Sequence, residues 1–408
     1  MKNFYSISNI EFEHLKKKYS LYLTFVLVLL LGTISLSCVG SSAPIGLPSG
    51  VIVEDNLYIG TMDQDIRSLN TETGELVWIH EFDNEEDKNI AFYGNPVINH
   101  KAGSSARSLY FTSYNGKLYI VRLEDNAGQL SPTLSDNIVI GESAPIVGGT
   151  TLVEDNLLVP SSDGKLHAYN IEQLAKLWEF PTSNKIWATP VFKNSIVYFG
   201  SLDHNLYAIN AKDGSLFWDK PFKTKGAIVS KPLIVDQTVY IGSFDGVFYG
   251  VDIETGLEKA RFTGGEGWYW GGAISDGETI FVGSLGDNIY ALNKSNLSIK
   301  WKFEAENSIV GAPIIIYQDP PLRNMLVFSS IDGKLRTVNL SDGQNMRQCK
   351  LDIKLKSNLV SNGNMVFISG DDHSIRGILI NQNGNLNEEW VHYTDKDDPI
   401  PRDFDRSC

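Results

Sequence analysis

One segment, ATPVFKNSIVYFGSLDHNLYAINAKDGSLFWDKP at 188–221, recurs along the chain, and its recurrence constrains the fold more than any other feature. Within it, 190–192, 195–200, 205–210 and 216–218 read as short strands, with turn residues at Lys193-Asn194, Asp203-His204 and Asp213-Gly214 between them. The segment is therefore one antiparallel meander. Its two middle strands return as LYIGTMDQDIRSLN from Leu57, LYFTSYNGKLYIVR from Leu109, LLVPSSDGKLHAYN from Leu157 and VYFGSLDHNLYAIN from Val197. They return again as VYIGSFDGVFYGVD from Val239, IFVGSLGDNIYALN from Ile280, LVFSSIDGKLRTVN from Leu326 and VFISGDDHSIRGIL from Val366. Copies spaced by roughly 40 to 50 residues are the signature of a propeller or an array. A lone four-stranded sheet cannot bury both its faces, so the copies must stack on one another. The expected fold is all-β, an eight-bladed β-propeller of four-stranded antiparallel blades. Seven blades stay open as the alternative, because blades two and eight follow the pattern loosely.

Positions inside the repeat have mechanical reasons. Asp163-Gly164, Asp245-Gly246 and Asp332-Gly333 occupy the turn between the second and third strands. Aspartate bonds the local backbone there and glycine takes the positive φ, so these acids read as turn formers and not as catalytic carboxylates. The fourth strand often ends in tryptophan, at Trp78, Trp178, Trp218, Trp301 and Trp390. A large flat ring at one place in successive blades fills the wedge between adjacent sheets. Ala260 and Arg347 hold that place in blades five and seven, so those two junctions should be packed differently.

The combination of VYxGSxDGxLYAIN with a following Gly and a Trp a few residues later resembles the pyrroloquinoline-quinone (PQQ) repeat. The similarity covers about 47–393. It implies an eight-bladed propeller in a family that includes quinoprotein alcohol dehydrogenases and the non-catalytic, BamB-like lipoproteins of outer-membrane β-barrel assembly. It specifies fold far more strongly than activity.

A second regularity marks the axis. Pro96, Pro145, Pro190, Pro232 and Pro313, with Ala273, lie near the start of the first strand; Gly94, Ser143, Ala188, Ser230, Gly271 and Gly311 precede them by two. Side chains must be small where blade tips converge. One residue earlier come Tyr93, Glu142, Trp187, Val229, Trp270 and Val310, expected to ring one mouth of the central channel. GGEGWYWGG, at 264–272, adds Trp268 and Tyr269 beside Trp270. Two readings stand: a contact surface for peptides, sugars or flat ligands, and rings that simply cap the channel.

The chain begins with a polar stretch, then Lys16, Lys17 and Lys18 before YSLYLTFVLVLLLGTISLSC, the layout of a secretory signal. Its end resembles a bacterial lipoprotein signal, with Ser37 before Cys38 and Ser35 where leucine is usual. That resemblance implies cleavage before Cys38 and acylation of that residue, holding the protein at a membrane. An uncleaved anchor and plain secretion are the alternatives. The expected organisation is a signal at 1–38, a flexible tether at 39–46, the propeller at 47–393 and an acidic flexible tail at 394–408. Cys349 and Cys408 are candidates for a disulfide in an oxidising compartment.

With a net charge of −14 and no basic stripe, the chain is not built for nucleic acid. Catalytic signatures are missing as well: there is no GxxxxGK[ST], HExxH or GxSxG. His167 and His204 fall on or beside recurring hairpins, which places no triad. Quinoprotein dehydrogenases generally cover PQQ with an adjacent-cysteine disulfide and hold calcium through Glu, Asn and Asp; this sequence has three cysteines and no Cys-Cys pair. No catalytic, cofactor or metal residue is assigned. The expectation is a monomeric, non-enzymatic, lipid-anchored interaction scaffold on the periplasmic or cell-surface side of a bacterial membrane, binding other extracytoplasmic or membrane proteins or peptides. A PQQ-dependent oxidoreductase, or a quinone-binding sensor, is the alternative.

Overall fold

A computed structural model describes residues 49–82, 89–100, 107–126, 129–319 and 322–395. The expected signal with Cys38, the expected tether and the tail from 396 lie outside the described residues. Among the described residues, thirty-two strands form eight four-stranded sheets, each built from four consecutive strands in sequence order. The blades span 50–81, 97–139, 151–181, 191–223, 233–262, 274–304, 314–350 and 360–393. This is the eight-bladed propeller that the repeat predicts.

The second strand is a near-continuous apolar run because both faces of each blade are covered. Ile196–Gly200, Thr238–Gly242 and Met325–Ser329 are buried throughout. The turn acids do what their position implies: Oδ1 of Asp163, Asp245 and Asp332 accepts the backbone N–H two residues on. Gly164, Gly246 and Gly333 follow with φ of 82°, 79° and 79°, values that a side chain would strain.

In the 188–221 segment the fourth strand differs from expectation. Leu216 makes only an isolated bridge to Ile209, and the ladder resumes at Phe222–Lys223. Pro221 lies directly before this short strand and has no N–H to give to a ladder.

Eight apolar clusters fill the eight junctions between consecutive blades. The cluster of Leu57, Ile59, Leu69, Phe367, Ile375 and Trp390 joins blade eight to blade one, so the ring closes. Blade eight needs no strand from the amino terminus, since Leu386–Tyr393 completes it.

A recurring bolt crosses these junctions. Trp178, Trp218, Trp301 and Trp390 each donate an indole N–H to a carbonyl in the next blade, that of Ala211, Ile253, Leu340 and Thr71, at 3.0–3.2 Å. The ring lies over the glycine three residues further on, Gly214, Gly256, Gly343 or Gly74, where a Cβ would lie 2.5–2.8 Å from the indole. Where Ala260 replaces the tryptophan, Tyr240 O–H donates to the equivalent carbonyl, Lys294. Where Arg347 replaces it, the guanidinium bonds Asn385 Oδ1 at 2.7 Å in blade eight. The two junctions expected to be different are different. Trp78 packs against the buried cluster between blades one and two, and among the described residues it makes no such indole bond.

Polar bonds reinforce the closure. Arg67 chelates Asp65, donates to the Thr394 carbonyl and approaches His392 Nε2 at 3.1 Å. His373 Nδ1 lies 2.7 Å from Asp63 Oδ1, and the Thr394 hydroxyl bonds the same aspartate. Thr394, assigned to the flexible tail by its sequence, is 5% exposed and belongs to the fold. Cys349 is buried and disulfide-bonded; Cys408, the partner raised from the sequence, lies outside the described residues.

Candidate functional site: the axial channel and its mouth

The loop entering each blade and the turn between its second and third strands lie on one end of the ring, tied together by backbone bonds. Tyr114, Ser162, Leu202, Phe244, Leu285 and Ile331 N–H groups each donate to an entering loop. These loops surround an axial cavity of about 110 Å³. Tyr93, Trp187, Val229, Trp270 and Val310 line it, as the register of small residues predicts.

Glu142 does not line it. It lies exposed on a turn, and Val147 occupies the equivalent place. Blade three carries Ser143-Ala144-Pro145 as a decoy for the small-x-Pro pattern, whereas its first strand starts at Thr151, which puts Gly148 and Gly149 at the axis. The tight approach is real: a Cβ on Gly94 would come within 2.6 Å of Gly149 Cα, and one on Gly271 within 2.7 Å of the Val310 carbonyl.

Tyr269 also departs from expectation. It is fully buried and packs on Phe248, with ring centroids 5.6 Å apart, below Gly242. Burial raises its phenol above the ordinary tyrosine range. The alternation of a strand-like segment explains this: Trp268 and Trp270 face one way and Tyr269 the other.

Trp268 is 53% exposed and stacks on Phe244 with centroids 5.0 Å apart; Phe244 in turn stacks on Trp270 at 5.8 Å. Trp270 tilts against Trp187 at 6.4 Å, and Lys185 Nζ lies 5.9 Å over the Trp187 ring. The Trp187 indole N–H donates to Ser162 Oγ at 3.1 Å. Four aromatic rings thus run as one strip from open solvent to the channel wall. The sequence pattern pointed to three of them and missed Phe244, which lies in a turn position occupied elsewhere by Leu202, Leu285 or Ile331.

The opposite sector of the mouth combines a polar cluster with the Tyr93–Tyr114 ring pair, centroids 5.7 Å apart. Ser49 Oγ and Asn358 Nδ2 both donate to Asn95 Oδ1, at 2.6 and 3.3 Å, and Asn358 Oδ1 accepts from Ala312 N–H at 2.9 Å. Lys231 and Lys356 also reach the cavity. Lys231 is exposed to solvent in the channel, and desolvation by the surrounding wall holds its ammonium below the usual lysine range.

The turn acids have a second partner. Oδ2 of Asp163, Asp203, Asp245, Asp332 and Asp372 meets the polar end of the residue four positions on: His167, Tyr207, Tyr249, Arg336 and Arg376. Burial pushes the Asp163 carboxyl up, but His167 and the Lys165 N–H outweigh it and leave it below the ordinary carboxylate range. His167 is thus committed to a structural pair.

A family profile described as "Outer membrane protein assembly factor BamB" matches residues 162–261 and 257–387, more than half of the chain. The chain belongs to this BamB family. No curated protein matches it. Among solved structures, the computationally designed Ika8 protein superimposes with a TM-score of 0.62 at 15% identity, over 86% of this chain and 96% of that one. BamB from Moraxella catarrhalis gives 0.58 at 16% identity, over 79% and 90%. At these identities the likeness is one of fold. At about 110 Å³ the cavity is smaller than the ~300–1,000 Å³ that encloses a typical small-molecule ligand. Among the described residues no group of three His, Cys, Asp or Glu side chains is placed to hold a metal ion.

Proposed function

We propose that this BamB-family propeller is a non-enzymatic protein-interaction scaffold outside the cytoplasm, held at a membrane by acylation of Cys38 and working without quinone or calcium. The observation that carries the reading is the solvent-open strip of Trp268, Phe244 and Trp270. Exposed stacked aromatics rimmed by polar groups are the composition of interaction hot spots. Membership of a family described by outer-membrane assembly supports the same direction, as does the leader with its lipobox-like end. Its partners are other extracytoplasmic or membrane proteins, engaged by the mouth loops or by strand addition at a blade edge.

A photocrosslinking residue at position 268 in native membranes should trap a discrete membrane-assembly protein, and W268A/F244A should weaken copurification by tenfold or more without altering the fold. Copurification unchanged by the double variant would reject the mouth as the docking surface. Tight one-to-one PQQ binding with calcium-dependent dye reduction would reject the non-enzymatic reading. Lipid label retained on Cys38→Ala would reject the anchor.

A further inference from the structure

We propose that the axial channel is a binding site for a small oxyanion, a carboxylate or phosphate group, held by the ammonium groups of Lys231 and Lys356. The inference rests on the channel alone and is independent of the scaffold reading.

The charge pattern is the starting point. The chain carries a net charge of −14, yet the channel lining contains two lysines and no aspartate or glutamate. Several lysines elsewhere on the ring are paired, Lys165 with Glu179, Lys294 with Glu278 and Lys334 with Glu306. Among the described residues neither Lys231 nor Lys356 has an ion pair, and desolvation acts on Lys231 with no opposing charge. A partly desolvated ammonium without a counter-charge gains from a bound anion.

The remaining walls suit the same guest. Thr189 Oγ1 accepts the Gly149 N–H at 2.8 Å, which leaves its own hydroxyl proton to donate. Trp187 and Trp270 supply an apolar wall that strengthens charge-assisted bonds by limiting water. A cavity of about 110 Å³ admits an oxyanion group of a few heavy atoms, such as free phosphate or the end of a peptide chain.

The test is calorimetric titration of the full chain at constant ionic strength with two probes, inorganic phosphate and a short peptide bearing a free carboxyl terminus, the same peptide amidated serving as comparison. Intrinsic fluorescence follows Trp187 and Trp270 in parallel. The expected result is saturable one-to-one binding of at least one probe, weakened about tenfold by K231M or K356M and abolished by the double variant. K259M, on an outer strand beside Asp252, should leave it unchanged. Phosphate binding alone assigns the site to a free anion; peptide binding lost on amidation assigns it to a chain terminus. K231Q serves as a second variant should K231M fold poorly. Saturable binding of neither probe, or binding that survives the double substitution, overturns the proposal. Anion binding that persists in W268A/F244A separates it from the fate of the scaffold reading.

Discussion

Trp390→Ala tests the closure of the ring directly. Trp390 is 6% exposed, donates its indole N–H to the Thr71 carbonyl at 3.0 Å, and lies between Gly74 of blade one and Gly377 of its own blade. Truncating a buried tryptophan costs about 3–5 kcal/mol, including the cavity that rigid neighbours cannot refill. Glycine on two sides makes collapse hard here, because no side chain can swing into the space. The orphaned Thr71 carbonyl accounts for roughly 1–3 kcal/mol of that cost. Trp390→Phe, which keeps an aromatic ring and loses the donor, should cost about 1–3 kcal/mol. Against a typical net stability of about 5–15 kcal/mol, the alanine variant is severe. The comparison that matters is Trp301→Ala, which removes the same bolt between blades six and seven. A ring without a privileged seam predicts losses within about 1 kcal/mol of each other. Urea unfolding followed by circular dichroism gives both values, with Val77→Ala, at 45% exposure, as a control within about 0.5 kcal/mol. A loss below 1 kcal/mol for Trp390→Ala beside a full loss for Trp301→Ala would refute the claim that closure uses the common bolt.

Tyr240→Phe should cost about 1–2 kcal/mol in the same assay, because it leaves the Lys294 carbonyl without the donor that stands in for an indole. Gly343→Ala should cost roughly 2–4 kcal/mol, since the new Cβ meets Trp301 at 2.5 Å on a backbone with φ of 71°. Burial, and next to it the Arg67 guanidinium, lower the His392 pKa to about 4. The unfolded histidine, near 6.5, therefore binds its proton first: His392 contributes fully above about pH 6.5, and its contribution of at most about 3 kcal/mol is lost as pH falls toward 4. His392→Asn should flatten that part of the stability–pH curve, and an unchanged slope would refute the assignment.

What the sequence made legible follows from what repeats. Asp-Gly turns and fourth-strand tryptophans recur because every blade meets the same neighbour, so their roles could be read without coordinates, down to the two junctions where Ala260 and Arg347 break the rule. The axis was harder to read because its residues answer to space around a common centre and not to the strand period. Pro145 drew the register of blade three five residues out of place, onto Glu142 instead of Val147. Tyr269 looked like a surface ring because its neighbours are, whereas the direction of alternation sends it into the core. Lys231 and Lys356 come from the loops entering blades five and eight and share the channel only through closure, while Phe244 joins the aromatic strip from a turn inside blade five. A signal did exist: Lys231 stands one residue after the small position, among Gly, Thr, Ala and Asn in other blades.

The repeat also explains why the mouth is lopsided. Eight packed junctions hold the frame rigid, so the loops at one end can vary without cost to the ring. Variation has put a stacked run of aromatic rings on the loops of blades four to six, and hydrogen-bonded Ser49, Asn95 and Asn358 beside the Tyr93–Tyr114 pair on those of blades one, two and eight. A symmetric plug would need similar residues all round, and rings that merely cap a channel would point inward. Trp268 instead faces solvent at 53% exposure, stacked on a neighbour that restricts its rotamers. Ordering such a ring in advance lowers the entropy cost of binding, which is the property expected of a contact surface and has no use in a seal.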